Sequence, residues 1–402
     1  MRRARRLTAR RYADTFLDII WRRTVSTEKQ GQTKRQHYVP QSILRKFSRN
    51  AATTSLLVME SGRRVPRAPI NRQCYEPYFY GADQVIEKSF ANQESTVGGL
   101  LGDLSPSTLR GLGGPALREL RLFVHYQHAR TRGAAESLSR FMSPFLEIAS
   151  RGTAKLGSGE TDPPQKMPWL KDAQNESIWQ AANTTPLLLD LAVKFVTAKG
   201  KRGFVIADHP VVFYNQFAEN HPVLSRFPTS TGLAVKGLQI FMPLSPTVAL
   251  ALYDPVTYSY GSSDLLVGAG PNEVEALNRM QAINAWECIF FDASRVEDDD
   301  LDSLLAARRN HPSRYKKHVA EGEMHRLGDG TIRQFVVVTD VDIRIGATLS
   351  FVRTVDQGSY EGYQGATIPV RSPELLARME AYSKHLDARV KQGVEAARGK
   401  TT

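Results

Sequence analysis

Downstream of Arg202 the sequence changes from helical periodicity to apolar runs interrupted by proline, and this change limits the fold more than any other feature. The runs are "GFVIADHPVVFY" (203–214) and "LQIFMPLSPTVALALY" (238–253). Pro243 and Pro246 cut the second run to strand lengths and keep it from forming the roughly 18-residue apolar helix of a membrane span. A helix, "PNEVEALNRMQAINAWE", then leads into the strand-like "CIFFDAS". Beyond it come the acidic-capped helix "VEDDDLDSLLAARR", the strand-like "RQFVVVTDVDIRI" and an amphipathic helix from Pro373. Upstream, "TSLLVMESGRRVPRAP" reads as a hairpin with a Ser-Gly turn, while 82–104, 115–150 and 175–199 read as helices. Helices grouped early and strands grouped late predict an α+β fold, its N-terminal helical part packed on a small mixed or antiparallel sheet built from the later strands.

Charge divides the chain further. Residues 1–36 carry eleven bases against three acids, a net +8, so the remaining residues supply only +4 of the overall +12. The expected organisation is a basic, flexible arm (1–36), a main α+β domain (37–292) and a C-terminal extension packed on it (293–402). Such an arm suits nucleic acid or an anionic surface, with Arg2, Arg3, Arg5, Arg6, Arg10 and Arg11 as phosphate contacts in the nucleic-acid case. It has arginines but no apolar core before a small-residue cleavage site, unlike a secretory signal. Two distant cysteines, Cys74 and Cys288, give no disulfide framework or metal-spaced cluster, and a cytoplasmic location is expected. The stretch 151–168, rich in Gly, Pro and polar residues, is the best internal loop or lid.

Polar residues on apolar helical stripes provide the candidate site. In 82–104, Ile86, Phe90, Val97 and Leu101 share one face, and Glu87 and Glu94 edge it about 20° apart. Their Cα atoms stand about 10.5 Å apart along the axis, too far for both to be assumed ligands of one ion. In 115–150, Leu120, Val124, Thr131 and Leu138 define the stripe, Gln127 projects from its middle, and Arg130 lies at its edge. A Glu94–Arg130 pair would serve equally as an interhelical tie or as part of a site. Asp208 ends a buried strand before His209-Pro210, where either a functional carboxylate or a turn-former fits. His37 alone is more often a structural imidazole than a base. The pairs His125/His128 and His318/His325 lack zincin spacing and are expected to be solvated. No Walker loop, dinucleotide fingerprint, nucleophile elbow or zinc-finger spacing occurs.

Six segments in fixed order, "QHYVPQSILRKF", "NRQCYEPYFYG", "IEKSFANQES", "YQHARTR", "FVIADHPVV" and "FMPLSP", resemble the bacterial family catalogued as domain of unknown function 4238. The resemblance covers about residues 36–292 and groups His37, Glu87, Glu94, Gln127, Arg130 and Asp208 as one residue set. It implies a fold unit and a set of positions, not a reaction.

Two expectations follow. One is a metal-dependent hydrolase of nucleic-acid phosphodiesters, with His37, Glu94, Arg130 and Asp208 catalytic and Glu87 and Gln127 supporting. Glu94 and Asp208 would hold a divalent metal such as Mg or Mn. The other is a non-catalytic nucleic-acid-binding or regulatory protein whose polar cluster is a brace.

Overall fold

This computed structural model describes residues 33–382 and 384, apart from 83, 141, 143–172, 228–229, 312–317, 327–331, 340–341, 357 and 366–367. Side chains of 318–326 and 332–339 also lie outside the description, as do the basic residues Arg2 to Arg11 and the 151–168 stretch.

The fold is α+β. Two sheets carry it. The first is four-stranded and antiparallel, ordered β3-β2-β12-β6, where β2 is Thr53–Val58, β3 Arg64–Pro69, β6 Ile206–Ala207 and β12 Cys288–Phe291. The second is five-stranded, ordered β11-β5-β9-β8-β7. Its members are β5 (Ala192–Ala198), β7 (Val212–Tyr214), β8 (Gln239–Ser245), β9 (Val248–Tyr253) and β11 (Leu266–Ala269). Only the β11–β5 pair is parallel.

The expected hairpin is therefore present, but it belongs to a sheet with β6 and β12, so the later strands do not build the sheets alone. The run "LQIFMPLSPTVALALY" becomes the β8–β9 hairpin. Ser245 Oγ accepts the backbone N–H groups of Thr247 and Val248 at its turn, and the register shift beside Pro243 accommodates a residue with no donor. The run "GFVIADHPVVFY" places β6 in one sheet and β7 in the other, so Asp208 and His209 lie on the crossover between sheets.

Two predicted helices are shorter than expected. Ala173–Thr184 is helical, but Pro186 closes it through a 3-10 turn, and the β-branched and aromatic residues after Leu191 form β5. Gly114–Ala129 ends at Arg130. Thr131 Oγ accepts the N–H of Ala134, capping a fresh helical segment over 132–140.

The chain beyond residue 293 contributes to the interior. Ile343, Ala347, Leu349, Phe351 and Ile368 share a core with Phe217, Tyr258 and Tyr260. The strand Val352–Thr354 pairs antiparallel with Tyr258–Tyr260. Arg371, its side chain fully buried, bonds Asp190 at 2.8 Å and the carbonyl of Leu233 at 2.5 Å. The acidic-capped helix Asp298–Asn310 has a capping box from Glu297 and Asp300, and it buries Leu301, Leu304 and Leu305 against Leu57, Ile289 and Phe291. Among the described residues no helix is long and apolar enough to cross a membrane.

Candidate functional site

The segment around His37 is held by backbone pairing at one end and by two helices at the other. Strand β1 (Arg35–His37) pairs with β4 (Tyr75–Pro77), and the Tyr38 N–H reaches the Cys74 carbonyl at 2.8 Å. Pro40 then stops the extended chain and precedes α1 (Gln41–Leu44), which turns Ile43, Leu44 and Phe47 into the core. Helices α2 (Val85–Leu101) and α3 (Gly114–Ala129) close over this segment with the stripes expected from their periodicity.

Two polar side chains on the second stripe, Gln127 and Arg130, end on backbone of the segment, and Tyr80 joins them. Arg130 Nη2 donates to the His37 carbonyl at 2.7 Å and to Glu94 Oε1 at 2.6 Å. Gln127 Nε2 donates to the Tyr38 carbonyl at 2.8 Å. Tyr80 O–H donates to the carbonyls of Arg130 at 3.1 Å and His37 at 3.4 Å. Buried Gln36 accepts the Tyr80 N–H at 2.6 Å and donates to the Gly81 carbonyl at 3.0 Å. Arg130 also lies over the Phe90 ring, 4.4 Å from its centroid. Its Nε and Nη1, and Gln127 Oε1, are shielded from solvent and make no hydrogen bond.

The titratable groups differ in state. His37 is half-buried; Nδ1 must donate to the Gln73 carbonyl at 3.0 Å, which leaves Nε2 to accept from the Gln41 amide at 2.9 Å. Burial lowers its pKa, opposed by the Gln73 hydrogen bond and the charge of Glu94. Glu87, also half-buried, is pushed up to about 7 by loss of solvent, against the pull of Arg130. Glu94 keeps 29% of its side chain exposed while Arg130 keeps 2%. One ion pair therefore links a buried cation to a solvent-reaching carboxylate.

Asp208 is engaged by backbone rather than by the Glu94–Arg130 pair. Its carboxylate accepts three backbone N–H groups, from Trp286 and Glu287 at 2.7 Å and from Cys288 at 3.2 Å. These tie the sheet crossover to the turn between α5 (Pro271–Asn284) and β12. Burial nevertheless raises it to about 6. Its electrostatic neighbours are Glu287, Tyr38, Cys74 and Cys288. Both cysteines are free. Among the described residues no group of three or more His, Cys, Asp or Glu side chains is placed to hold a metal ion.

His125 corrects a second expectation. It is buried, with Nε2 2.7 Å from the Ala181 carbonyl, because α3 packs against Ala173–Thr184 as well as α2; burial pushes it down to about 4. His128 stacks on Phe213 with centroids 4.5 Å apart. His318 and His325 lie on one strand, His318–Arg326, which pairs antiparallel with Ile332–Thr339, but those imidazoles lie outside the described side chains.

Sequence reasoning passed over Gln36, Gln41, Arg45 and Tyr80. The four-residue steps from His37 to Gln41 to Arg45 were the available signal, since that spacing stacks side chains on one face. Across residues 35–295 the chain matches a family described as Protein of unknown function (DUF4238). The chain belongs to this family. The match begins at β1 and ends just past β12, so it takes in every member of the His37 cluster and the Asp208 crossover of this DUF4238 protein. No curated protein and no solved structure matches it.

Proposed function

We propose that this protein is a hydrolase that cleaves phosphodiesters of nucleic acid by acid–base chemistry at the His37 cluster. The observation that carries the reading is an imidazole of fixed tautomer beside the Glu94–Arg130 ion pair, with Glu87, its carboxyl pushed up by burial to about 7, acting on that same pair from α2. In this reading His37 Nε2 takes a proton from water as the water oxygen bonds to phosphorus. The P–O ester bond breaks, and Glu87 gives its proton to the departing alkoxide. Glu94 faces solvent from its ion pair, and Arg130 acts as a positioning residue that fixes both Glu94 and the His37 backbone. The basic arm supplies sequence-independent phosphate contacts. A divalent cation such as Mg or Mn would take its oxygens from substrate and water, with Glu94 as the protein ligand nearest the solvent.

The test is hydrolysis of DNA and RNA oligonucleotides by wild type, His37→Ala and Glu87→Gln, with Mg, with Mn and with chelator. Both variants are expected to lose on the order of 10²–10⁴-fold in kcat while their far-ultraviolet circular dichroism stays unchanged. Equal rates in all three proteins refute the reading.

A second reading has its own observation: donors from Gln127, Arg130 and Tyr80 all end on carbonyls of His37 and Tyr38, as a brace would require. In that case the basic arm makes the functional contact. Deleting residues 1–32 would then abolish oligonucleotide binding, and the full-length protein would show no turnover to lose.

A further inference from the structure

His37, Gln41 and Arg45 form a chain of side chains in four-residue steps. Arg45 Nη2 donates to Gln41 Oε1 at 2.9 Å, and Gln41 Nε2 donates to His37 Nε2 at 2.9 Å. Arg45 is exposed, whereas Gln41 and His37 are partly covered, so the chain runs from solvent to the imidazole. The bonds have one direction only. Arginine has no acceptor, so its bond fixes which end of the Gln41 amide is oxygen and leaves the NH₂ end facing His37. That amide occupies the one lone pair through which a neutral imidazole with a proton on Nδ1 can act as a base.

We propose that Gln41 and Arg45 form a displaceable cap on His37 Nε2, and that Arg45 opens it by exchanging Gln41 for a phosphate oxygen of the substrate. This rests on the hydrolase reading above and adds to it the recognition of the diester anion. A guanidinium favours a phosphate oxygen over a neutral amide oxygen, because the acceptor is charged. Once Arg45 turns to phosphate, the Gln41 amide is free to rotate away and Nε2 is open to water. The other groups facing the imidazole do not obstruct this. They are Arg35 on its own strand, the Tyr75 ring at 5.6 Å, Glu94 from α2, Arg130 from α3 and the Gln73 carbonyl on Nδ1.

The test is a nitrogen-15 NMR titration of the His37 imidazole in full-length wild type, Gln41→Leu and Arg45→Met, with dimethyl phosphate as the diester probe. Loss of the N–H donor on Nε2 ceases to favour the neutral ring, so both variants should titrate at higher pH than wild type. Dimethyl phosphate should shift the Arg45 and His37 resonances of wild type together, and bind Arg45→Met about tenfold more weakly. Unmoved midpoints in both variants, or equal binding of the probe to Arg45→Met, overturn the cap. The two readings separate cleanly. If the midpoints move but His37→Ala turns over oligonucleotides normally, the cap stands and His37 falls as the catalytic base. If His37→Ala is inactive and the midpoints do not move, the base stands and the cap falls.

Discussion

Replacing Arg130 with methionine tests the geometry at its most loaded point. The guanidinium is 2% exposed and makes two charged hydrogen bonds from one nitrogen, to Glu94 at 2.6 Å and to the His37 carbonyl at 2.7 Å. Breaking a buried ion pair from one side costs about 3–5 kcal/mol, mostly through the charge left behind. Here the charge left behind is Glu94, which keeps 29% exposure and reaches water, so the ion-pair part falls at the low end. The His37 carbonyl retains only the long Tyr80 bond at 3.4 Å, and methionine still fills the space over Phe90. The expected loss for Arg130→Met is about 3 kcal/mol, a large part of the roughly 5–15 kcal/mol that holds a folded protein. Glu94→Gln keeps an acceptor for Nη2 but leaves the buried guanidinium without its counter-ion, so it should also cost about 3 kcal/mol. The double variant leaves no orphaned charge, so it should fall short of the sum by about 1–2 kcal/mol. Urea unfolding followed by tryptophan fluorescence measures all four corners of this cycle. A loss below about 1 kcal/mol for Arg130→Met, or strict additivity, would refute the claim that this pair organises the cluster.

Two further outcomes follow from burial. His125 has its pKa pushed down to about 4, so the unfolded chain takes up its proton first as pH falls. Its contribution is full above about 6.5 and is lost on acidification toward 4, amounting to about 3 kcal/mol, and His125→Gln should flatten that part of the slope between pH 7 and 4.5 in urea titrations. Expressing residues 33–295 alone removes Ile343, Leu349, Phe351 and Ile368 from the core around Tyr258. At about 1.5–3 kcal/mol for each large buried side chain, the fragment loses at least about 6 kcal/mol and should be insoluble; a cooperative thermal transition in it would show the later segment to be dispensable.

How much of this was legible in the sequence depended on the range of the deciding interactions. The hairpin of β2 and β3, the β8–β9 hairpin and the passage from α5 to β12 rest on local periodicity and turn chemistry, and each was readable. The Glu94–Arg130 pair was readable for the same reason, because both residues edge apolar stripes of adjacent helices. The strand β5 was not. It contains Lys194, whose ammonium is satisfied by the carbonyl of Ser262, 68 residues away, and next to Ala173–Thr184 that segment looked like continued helix. Asp208 was recognisable as a strand-end acid, but its donors lie 78 to 80 residues downstream, so its capping role was invisible. His125 looked solvated because one helix shows its own stripe and not the second element packed on its other side.

Bracing and chemistry also need not compete for the same residues. A side chain that donates to the carbonyl of His37 fixes the backbone from which the imidazole projects, and the Gln73 carbonyl then selects which ring nitrogen keeps the proton. A purely structural brace has no need to choose a tautomer, and no reason to leave the outer ends of the cluster open. Here the inner groups, Arg130 and Gln127, are sealed, while Glu87, Glu94 and the Gln41–Arg45 chain reach the surface. Loss of an inner group should therefore act first on stability, and loss of an outer one on turnover. That division turns the cluster from a list of polar residues into an oriented one, with a rigid floor and a face presented to solvent.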